Sequence, residues 1–190
     1  MQKRTEVEYA TAAPFIRDGD LLLWRHSCRL ASWLIAAAGR GEYSHAGMAC
    51  RVGGELRALE VVQFHGGRSL LLSWHVDACP GRIDWYASGE RWPEWDRQKA
   101  VKRMARFVGC DYGWWSVLKA GLRHVVVVRW LLPRITDDRV GNGRVPFCSQ
   151  AVSIACRAGG VDPVPSLPDR LTEPCDLGRT AFFEYRGTLI

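Results

Sequence analysis

The chain has 190 residues, of which 47% are hydrophobic and 24% are charged, a composition typical of a soluble globular protein. Its seven cysteines are odd in number and include no CxxC pair, which argues against a disulfide framework and a structural zinc site. The formal net charge of +6 favours anionic surroundings, whether nucleic acid, anionic lipid or cell-wall polymer. We expect one domain spanning residues 1–190.

Neither a signal peptide nor a membrane span is predicted. Residues 1–20 contain basic side chains but lack the apolar segment that a secretory signal needs. The longest apolar run, residues 125–132, is too short for a transmembrane helix and includes Arg129. We therefore expect cytoplasmic synthesis without a signal peptide. A phage-encoded origin or a dedicated export system stays open as a route to an extracellular substrate.

The predicted elements mix strands and helices. In chain order, the first half predicts a turn at Asp18-Gly19-Asp20, a short strand, a helix over 28–40, a hairpin over 42–63, a third strand within 65–76 and a fourth over 81–88. The second half predicts a helix over 93–108 ended by Gly109, a helix in the first half of 110–134, a loop at 137–144, a helix from Cys148 to Gly159-Gly160, a Pro-rich tail and a strand near 181–187.

Cys148 is the candidate nucleophile. It follows Pro146-Phe147 and opens an amphipathic helix. A helix N-terminus presents free N–H groups and a positive dipole end, which stabilise a thiolate and lower its pKa. The same N–H groups can form an oxyanion hole. The alternative is a small buried hydrophobic residue, as most free cysteines are, and Cys156 fits that description.

His45 and Glu60 lie on the two strands of the predicted hairpin. A two-residue loop at Gly53-Gly54 places Glu60 opposite Gly47, diagonal to His45 and on the same face of the sheet. We predict that the carboxylate accepts the Nδ1 proton of His45 and orients the ring as a base. A three-residue loop would bring Gln63 to that face instead, so Glu60 and Gln63 both stay open as the orienting residue. The simpler reading of His45 is a core histidine.

Five segments occur in an order that resembles the circularly permuted NlpC-type members of the papain-like superfamily: GDLLLWRHS, EYSHAGMACRV, LEVVQFHGGR, DYGWWSVLKAG and FCSQAV. The resemblance covers roughly residues 18–178, and in those proteins the His and the acid also precede the Cys. It implies an α+β, permuted papain-like fold, with a mostly antiparallel sheet packed against the helix that carries the nucleophile. It also implies that Cys148 is the nucleophile, His45 the base and Glu60 the orienting residue.

Other polar residues are weaker candidates. Tyr43 could place a hydroxyl near the thiol or serve in packing. His65 could line a substrate cleft and Arg68 could hold a substrate carboxylate, against the alternative of an exposed histidine and a solvated arginine. Three histidines are interpreted as structural or surface residues, namely His26, His75 and His124. Asp20 is expected to shape a turn rather than take part in chemistry.

The residues and the resemblance together predict a cysteine peptidase or amidase that acts by nucleophilic acyl transfer on bacterial cell-wall peptides, with no metal or cofactor. A lipid esterase or acyltransferase similar to lecithin retinol acyltransferase-like proteins is the enzymatic alternative, with residues 113–132 contacting acyl chains or a membrane surface. A non-catalytic cell-wall or virion binding module is the other alternative. The basic residues of 97–106 are predicted to form the solvated face of a helix, so no stable nucleic-acid partner is expected.

Overall fold

A seven-stranded sheet runs through the part of the chain that the computed structural model describes, namely residues 4–25, 41–62, 65–110 and 146–190. The strands are β1 (Glu6–Val7), β2 (Leu21–Arg25), β3 (Tyr43–Val52), β4 (Glu55–Val62), β5 (Gly66–Leu71), β6 (Ile83–Ser88) and β7 (Phe183–Leu189). Their order across the sheet is β1-β7-β6-β2-β3-β4-β5. Only β1 and β7 pair in parallel among these strands, so the sheet is mostly antiparallel, as predicted.

Helices complete an α+β architecture. They are α1 (Tyr9–Ala12), α2 (Leu72–Ala78), α3 (Arg97–Ala105), α4 (Cys148–Ala158) and α5 (Pro174–Leu177), with a 3-10 turn at Asp169–Leu171. Several predictions lie outside the described residues: the helices over 28–40 and in 110–134, the loop at 137–144, and His26, Gln63 and His124. Within the described ranges, no helix combines the length and apolar character needed to cross a bilayer.

The β3–β4 hairpin has the predicted two-residue loop. Gly53 and Gly54 have φ values of +60° and +87°, a left-handed conformation that glycine adopts without steric cost. Val52 consequently pairs with Glu55, and further along the ladder Gly47 pairs with Glu60. This register confirms that Glu60 and His45 lie on one face, two residues apart along the strand direction.

The segment predicted as a third strand changes structure halfway. The strand ends at Leu71, and residues Leu72–Ala78 form a helix. Leu72, His75 and Val76 recur at helical spacing and are all buried, so one face of α2 packs against the sheet. A continuous apolar run such as residues 70–72 does not distinguish a buried strand from a helix, which explains the incorrect prediction.

The two helices after the central strands begin and end at identifiable signals. The α3 helix begins at Arg97 rather than Pro93, because the carboxylate of Asp96 accepts a hydrogen bond from the Lys99 N–H at 2.9 Å and caps it. It ends at Ala105, before the predicted end at Val108. The α4 helix begins at Cys148 and is capped by Gly159, with Gly160 at φ +98°. Both bounds of α4 are as the sequence predicted.

Residues of β2 are buried on both faces of the sheet. Leu21 and Leu23 belong to an apolar cluster that includes residues of α3 and α4. Leu22 and Trp24 belong to a second cluster, which includes residues of α1 and α2. Successive side chains of a strand point to opposite faces, so the sheet lies between two layers of helices. The predicted packing of the Cys148 helix against the sheet is therefore present.

Asp20 ties three elements together just before β2. Its side chain is 1% exposed and accepts hydrogen bonds from Trp85 Nε1 at 2.9 Å, from the Ser88 N–H at 3.1 Å and from Arg97 Nη1 at 2.8 Å. It also accepts the Arg17 N–H, as the predicted turn requires. Because a buried carboxylate needs such partners, Asp20 does more than shape a turn: it connects β2, β6 and α3.

Candidate active site

Cys148 is the first residue of α4. Phe147, the residue before it, makes no side-chain capping bond, and the N–H groups at a helix N-terminus can serve a thiol or a ligand. The next residue, Ser149, is fully buried and donates its hydroxyl to the Thr172 carbonyl at 2.7 Å. This bond anchors the beginning of the helix and thereby fixes the half-buried Cys148 side chain.

The Cys148 sulfur forms hydrogen bonds with the side chain of His45 and with the backbone N–H groups of Ala46 and Ser149. Two of these partners come from β3 and one from α4. Strand β3 and the N-terminus of α4 therefore both contribute hydrogen-bond partners to the sulfur atom. The structure brings together the two residues that the sequence placed 103 positions apart as nucleophile and base.

His45 is held on its other side by Glu60. The Nε2 atom of His45 lies 2.5 Å from Oε2 of Glu60. This corrects the predicted ring orientation, in which Nδ1 faced the carboxylate. Glu60 reaches diagonally past Gly47 and meets the tip of the ring, where Nε2 lies, rather than the edge beside Cβ. Nδ1 is therefore the nitrogen left to face Cys148.

Glu60 is a buried carboxylate with three basic neighbours. It is 2% exposed, and Arg68 Nε donates to its Oε1 at 2.7 Å. Nε2 of His75 lies 3.2 Å from the same oxygen. Burial alone would raise the pKa of Glu60, but its contacts with His45 and His75 outweigh burial and hold that pKa well below its usual range. Glu60 is therefore an anion at neutral pH.

Trp24 forms a wall beside this charged group. Its ring centroid lies 5.1 Å from that of His45 and 5.4 Å from that of His75. A Cβ atom on Gly47 would lie 3.1 Å and 3.2 Å from two carbons of the indole. The absence of a side chain at Gly47 thus leaves room for the indole beside both imidazoles.

The pKa shifts of the thiol and the imidazole favour an ion pair between them. Burial lowers the pKa of His45, but hydrogen bonds with Cys148 and Glu60 outweigh it and raise that pKa to about 10. Burial raises the pKa of Cys148, yet the hydrogen bond from His45 makes the net shift downward. A thiolate beside an imidazolium is the arrangement expected of a nucleophile paired with a proton donor.

The three weaker candidates have different positions. Tyr43 is buried, and its hydroxyl donates to Asp84 at 2.7 Å and lies 2.8 Å from the Tyr86 hydroxyl, which supports the packing role. His65 lies exposed in the turn before β5. The guanidinium of Arg68 contacts Glu60. This contact supports neither of the two predicted roles, which were binding of a substrate carboxylate and solvation at the surface.

His75 is the residue of this cluster that sequence reasoning missed. The sequence predicts a structural or surface position for it and does not place it beside Glu60. The spacing of Leu72, His75 and Val76 was the available signal. Read as one face of a helix, it places His75 towards the sheet, where the structure has it 6% exposed beside Glu60.

A bound metal does not fit this group of residues. Within residues 4–25, 41–62, 65–110 and 146–190, no cluster of three or more His, Cys, Asp or Glu side chains is arranged to hold a metal ion. The guanidinium of Arg68 lies against Oε1 of Glu60, so a fixed cation already occupies the position beside the carboxylate.

Fold and site together define an α+β protein with a Cys–His–Glu arrangement at a helix N-terminus. No protein-family model matches the chain, and no curated protein matches it significantly. Among solved structures, it is similar to the crystal structure of the metalloprotein YiiX from Escherichia coli O157:H7, assigned to DUF1105. The identity is 16%, the TM-score is 0.63, and the match covers 90% of this chain and 97% of YiiX. At this identity the likeness concerns the fold alone.

Proposed function

We propose that this protein is a thiol hydrolase that works by nucleophilic acyl transfer, with Cys148 as nucleophile, His45 as general base and acid, and Glu60 as the orienting residue. The observation that carries the proposal is the hydrogen-bonded series from the Cys148 sulfur through His45 to the buried Glu60. A base that is itself oriented by a third group is the recurring pattern of activated nucleophiles.

The reaction follows from the positions of these groups. The Cys148 thiolate attacks a carbonyl carbon, and N–H groups at the N-terminus of α4 stabilise the oxyanion that forms. His45 then donates its Nδ1 proton to the leaving group, the carbon–leaving-group bond breaks, and an acyl-enzyme remains. Water, deprotonated by Nδ1, attacks the thioester and releases the acid and the thiol. Glu60 stabilises the imidazolium through Nε2 and stays ionised throughout.

The permuted papain-like fold belongs to the same proposal. Its support is the order of the chain, in which His45 and Glu60 on adjacent strands precede Cys148 on α4. The packing of α4 on a mostly antiparallel sheet agrees with that fold. Similarity to YiiX supports the architecture and carries no information about activity.

An amide bond in a bacterial cell-wall peptide is the substrate we propose. The segments that resemble NlpC-type proteins support it, since enzymes of that type cleave peptide or amide bonds in the cell wall. The net charge of +6 also suits an anionic wall polymer. An acyl ester would pass through the same chemical steps, so the choice between amide and ester depends on the cleft rather than on the Cys–His pair.

The pH dependence of Cys148 alkylation by iodoacetamide tests the proposal, with mass spectrometry resolving each cysteine. We expect Cys148 to react with an apparent pKa below the free thiol value of about 8.5, and His45→Ala to raise that pKa. Cys156 is the internal control, because burial, together with the nearby carboxylates of Asp169 and Asp162, raises its pKa far above the normal range. An ordinary titration of Cys148 in both proteins would contradict the proposal and favour the binding-module alternative.

Substrate class is tested separately. Purified peptidoglycan peptides and acyl esters of matched concentration are incubated with the wild type and with Cys148→Ser, and new amines, alcohols and acids are quantified. We expect product from the peptides with the wild type alone. Turnover of esters without turnover of peptides would replace the peptidase assignment by a lipid esterase.

A further inference from the structure

Arg68 lies in the same cross-strand row as the orienting residue. Gly47 pairs with Glu60 across β3 and β4, and Glu60 pairs with Arg68 across β4 and β5. Side chains of directly paired residues lie on one face of a sheet. The register therefore places the guanidinium against Glu60 without any contribution from a loop, while the empty Gly47 position leaves the other side of Glu60 open towards His45.

Each oxygen of the Glu60 carboxylate has a different partner. Oε1 accepts the Arg68 Nε–H at 2.7 Å, and Oε2 lies 2.5 Å from His45 Nε2. A carboxylate held at one oxygen by a planar guanidinium has a fixed rotation about its terminal bond. With Oε1 held in this way, Oε2 is directed at the imidazole.

Three basic side chains surround the carboxylate of Glu60. The groups that face its carboxylate are His45 on β3, Arg68 on β5 and His75 on α2. The Nε2 atom of His75 makes no directed hydrogen bond with any described residue, so the close, directed bond to Oε1 is the one from Arg68. A guanidinium keeps its charge at every relevant pH, so it is a permanent cation beside the carboxylate.

We infer that Arg68 is a positioning residue, which acts through Glu60 to align His45 beside the Cys148 thiolate. This inference rests on the proposed function and assigns to Arg68 a role different from holding a substrate carboxylate. Arg68 does not touch the reacting atoms. Its side chain is one-third exposed.

The test is the pH profile of Cys148 alkylation in Arg68→Gln, Glu60→Gln and the double variant, with Arg57→Gln as a matched control. Arg57 is on β4, three positions before Glu60, and its guanidinium contacts Ser69 and Glu55. Loss of Arg68 removes the bond that holds Oε1 of Glu60, so Oε2 aligns His45 less well and the imidazolium stabilises the thiolate less. We expect the acid limb to move up by roughly one pH unit, a ~10-fold loss of rate on that limb. Arg57→Gln keeps the wild-type profile.

The double variant shows whether Arg68 acts through Glu60. We expect Arg68→Gln to add no further shift in the Glu60→Gln background, since coupled residues are not additive. An equal shift in both backgrounds, or a wild-type profile in Arg68→Gln, overturns the inference. If Arg68→Gln fails to fold, as judged by circular dichroism, Arg68→Lys carries the same test: a smaller shift in the same direction supports the inference, and no shift overturns it.

Turnover separates this role from substrate binding. On the substrate identified for the wild type, we expect Arg68→Gln to lower kcat roughly 10-fold with KM nearly unchanged. A higher KM with unchanged kcat would assign Arg68 to the substrate and overturn the inference. Failure of the proposed function itself gives a different result, because the wild type and His45→Ala would then share an ordinary thiol pKa.

Discussion

Nε2 of His45 lies 2.5 Å from Oε2 of Glu60, so the imidazole faces Cys148 through Nδ1. The carboxylate therefore stabilises the protonated ring from the side away from the thiol. Two consequences can be measured: the pH range in which the thiolate and the imidazolium coexist, and the dependence of folding stability on the charge of Glu60.

The activity of the proposed enzyme should have a bell-shaped pH profile. The pKa of Cys148 is lowered from its ordinary value of 9.0, so the thiolate already forms at a pH below 9.0. The His45 pKa is raised from 6.5 to about 10, so the imidazolium persists up to that pH. We expect kcat/KM to be maximal between the two limits. In Glu60→Gln the alkaline limb should move to lower pH, because a hydrogen bond that raises the His45 pKa is lost. An unmoved alkaline limb would contradict the assigned role of Glu60.

Folding stability should depend on Glu60 in a defined pH range. The folded-state pKa of Glu60 is held below the ordinary 4.5, so its contribution is present above pH 4.5 and is lost as the pH falls below it. We expect Glu60→Gln to lower the free energy of unfolding by about 3 kcal/mol at pH 7, since the buried Arg68 contact loses its partner. That difference should shrink as the pH approaches 3.

Urea denaturation at a series of pH values measures this difference. Glu55→Gln is the control: Glu55 is exposed and contacts Arg57, and such pairs contribute about 0–1 kcal/mol. A Glu60→Gln penalty that stays constant from pH 7 to pH 3 would show that shape, rather than charge, accounts for the loss.

Gly47→Ala should disturb the site through Trp24. A Cβ at Gly47 would lie 3.0 Å from the Leu59 carbonyl and 3.1 Å from the indole, so the ring that packs on His45 must move. We expect a loss of about 1–3 kcal/mol in stability, as for overpacking elsewhere, and slower alkylation of Cys148 at neutral pH. Chemical denaturation and the alkylation assay provide both readouts.

Gly54→Ala is the matched control for Gly47. Its φ is +87°, but a Cβ there meets no atom within 4 Å. We expect strain at this positive φ to cost about 1–2 kcal/mol, with alkylation of Cys148 in the folded protein unchanged. Equal alkylation rates in the two variants would mean that Trp24 does not position His45.

The parts of the fold and site that could be predicted from sequence depend on local chemistry. Two adjacent glycines fix the hairpin loop, and with it the parity that places Glu60 on the His45 face. Gly159 and Gly160 end α4 at the predicted position, and its amphipathic pattern places the start at Cys148. In each case a few neighbouring residues determine the result.

The parts that could not be predicted depend on contacts between distant elements. Which ring nitrogen of His45 faces Glu60 depends on where the carboxylate meets the ring, which strand parity does not specify. The Arg68–Glu60 contact requires the register of a further pair of strands. His75 was missed because a short apolar run fits a strand as well as a helix.

Asp20→Asn should destabilise the fold without changing the chemistry of Cys148. An amide at this position presents two N–H donors among the donors of Trp85, Ser88 and Arg97, and it removes the buried carboxylate that pairs with Arg97. Breaking such a pair costs about 3–5 kcal/mol, which urea denaturation would measure. Asp77→Asn, at an exposed position of α2, is the control and should stay within about 0.5 kcal/mol of the wild type. The pH profile of Cys148 alkylation in folded Asp20→Asn should match the wild type. A shifted profile with unchanged stability would instead assign Asp20 a role in the active site, because only a residue electrostatically coupled to the thiol–imidazole pair would have that effect.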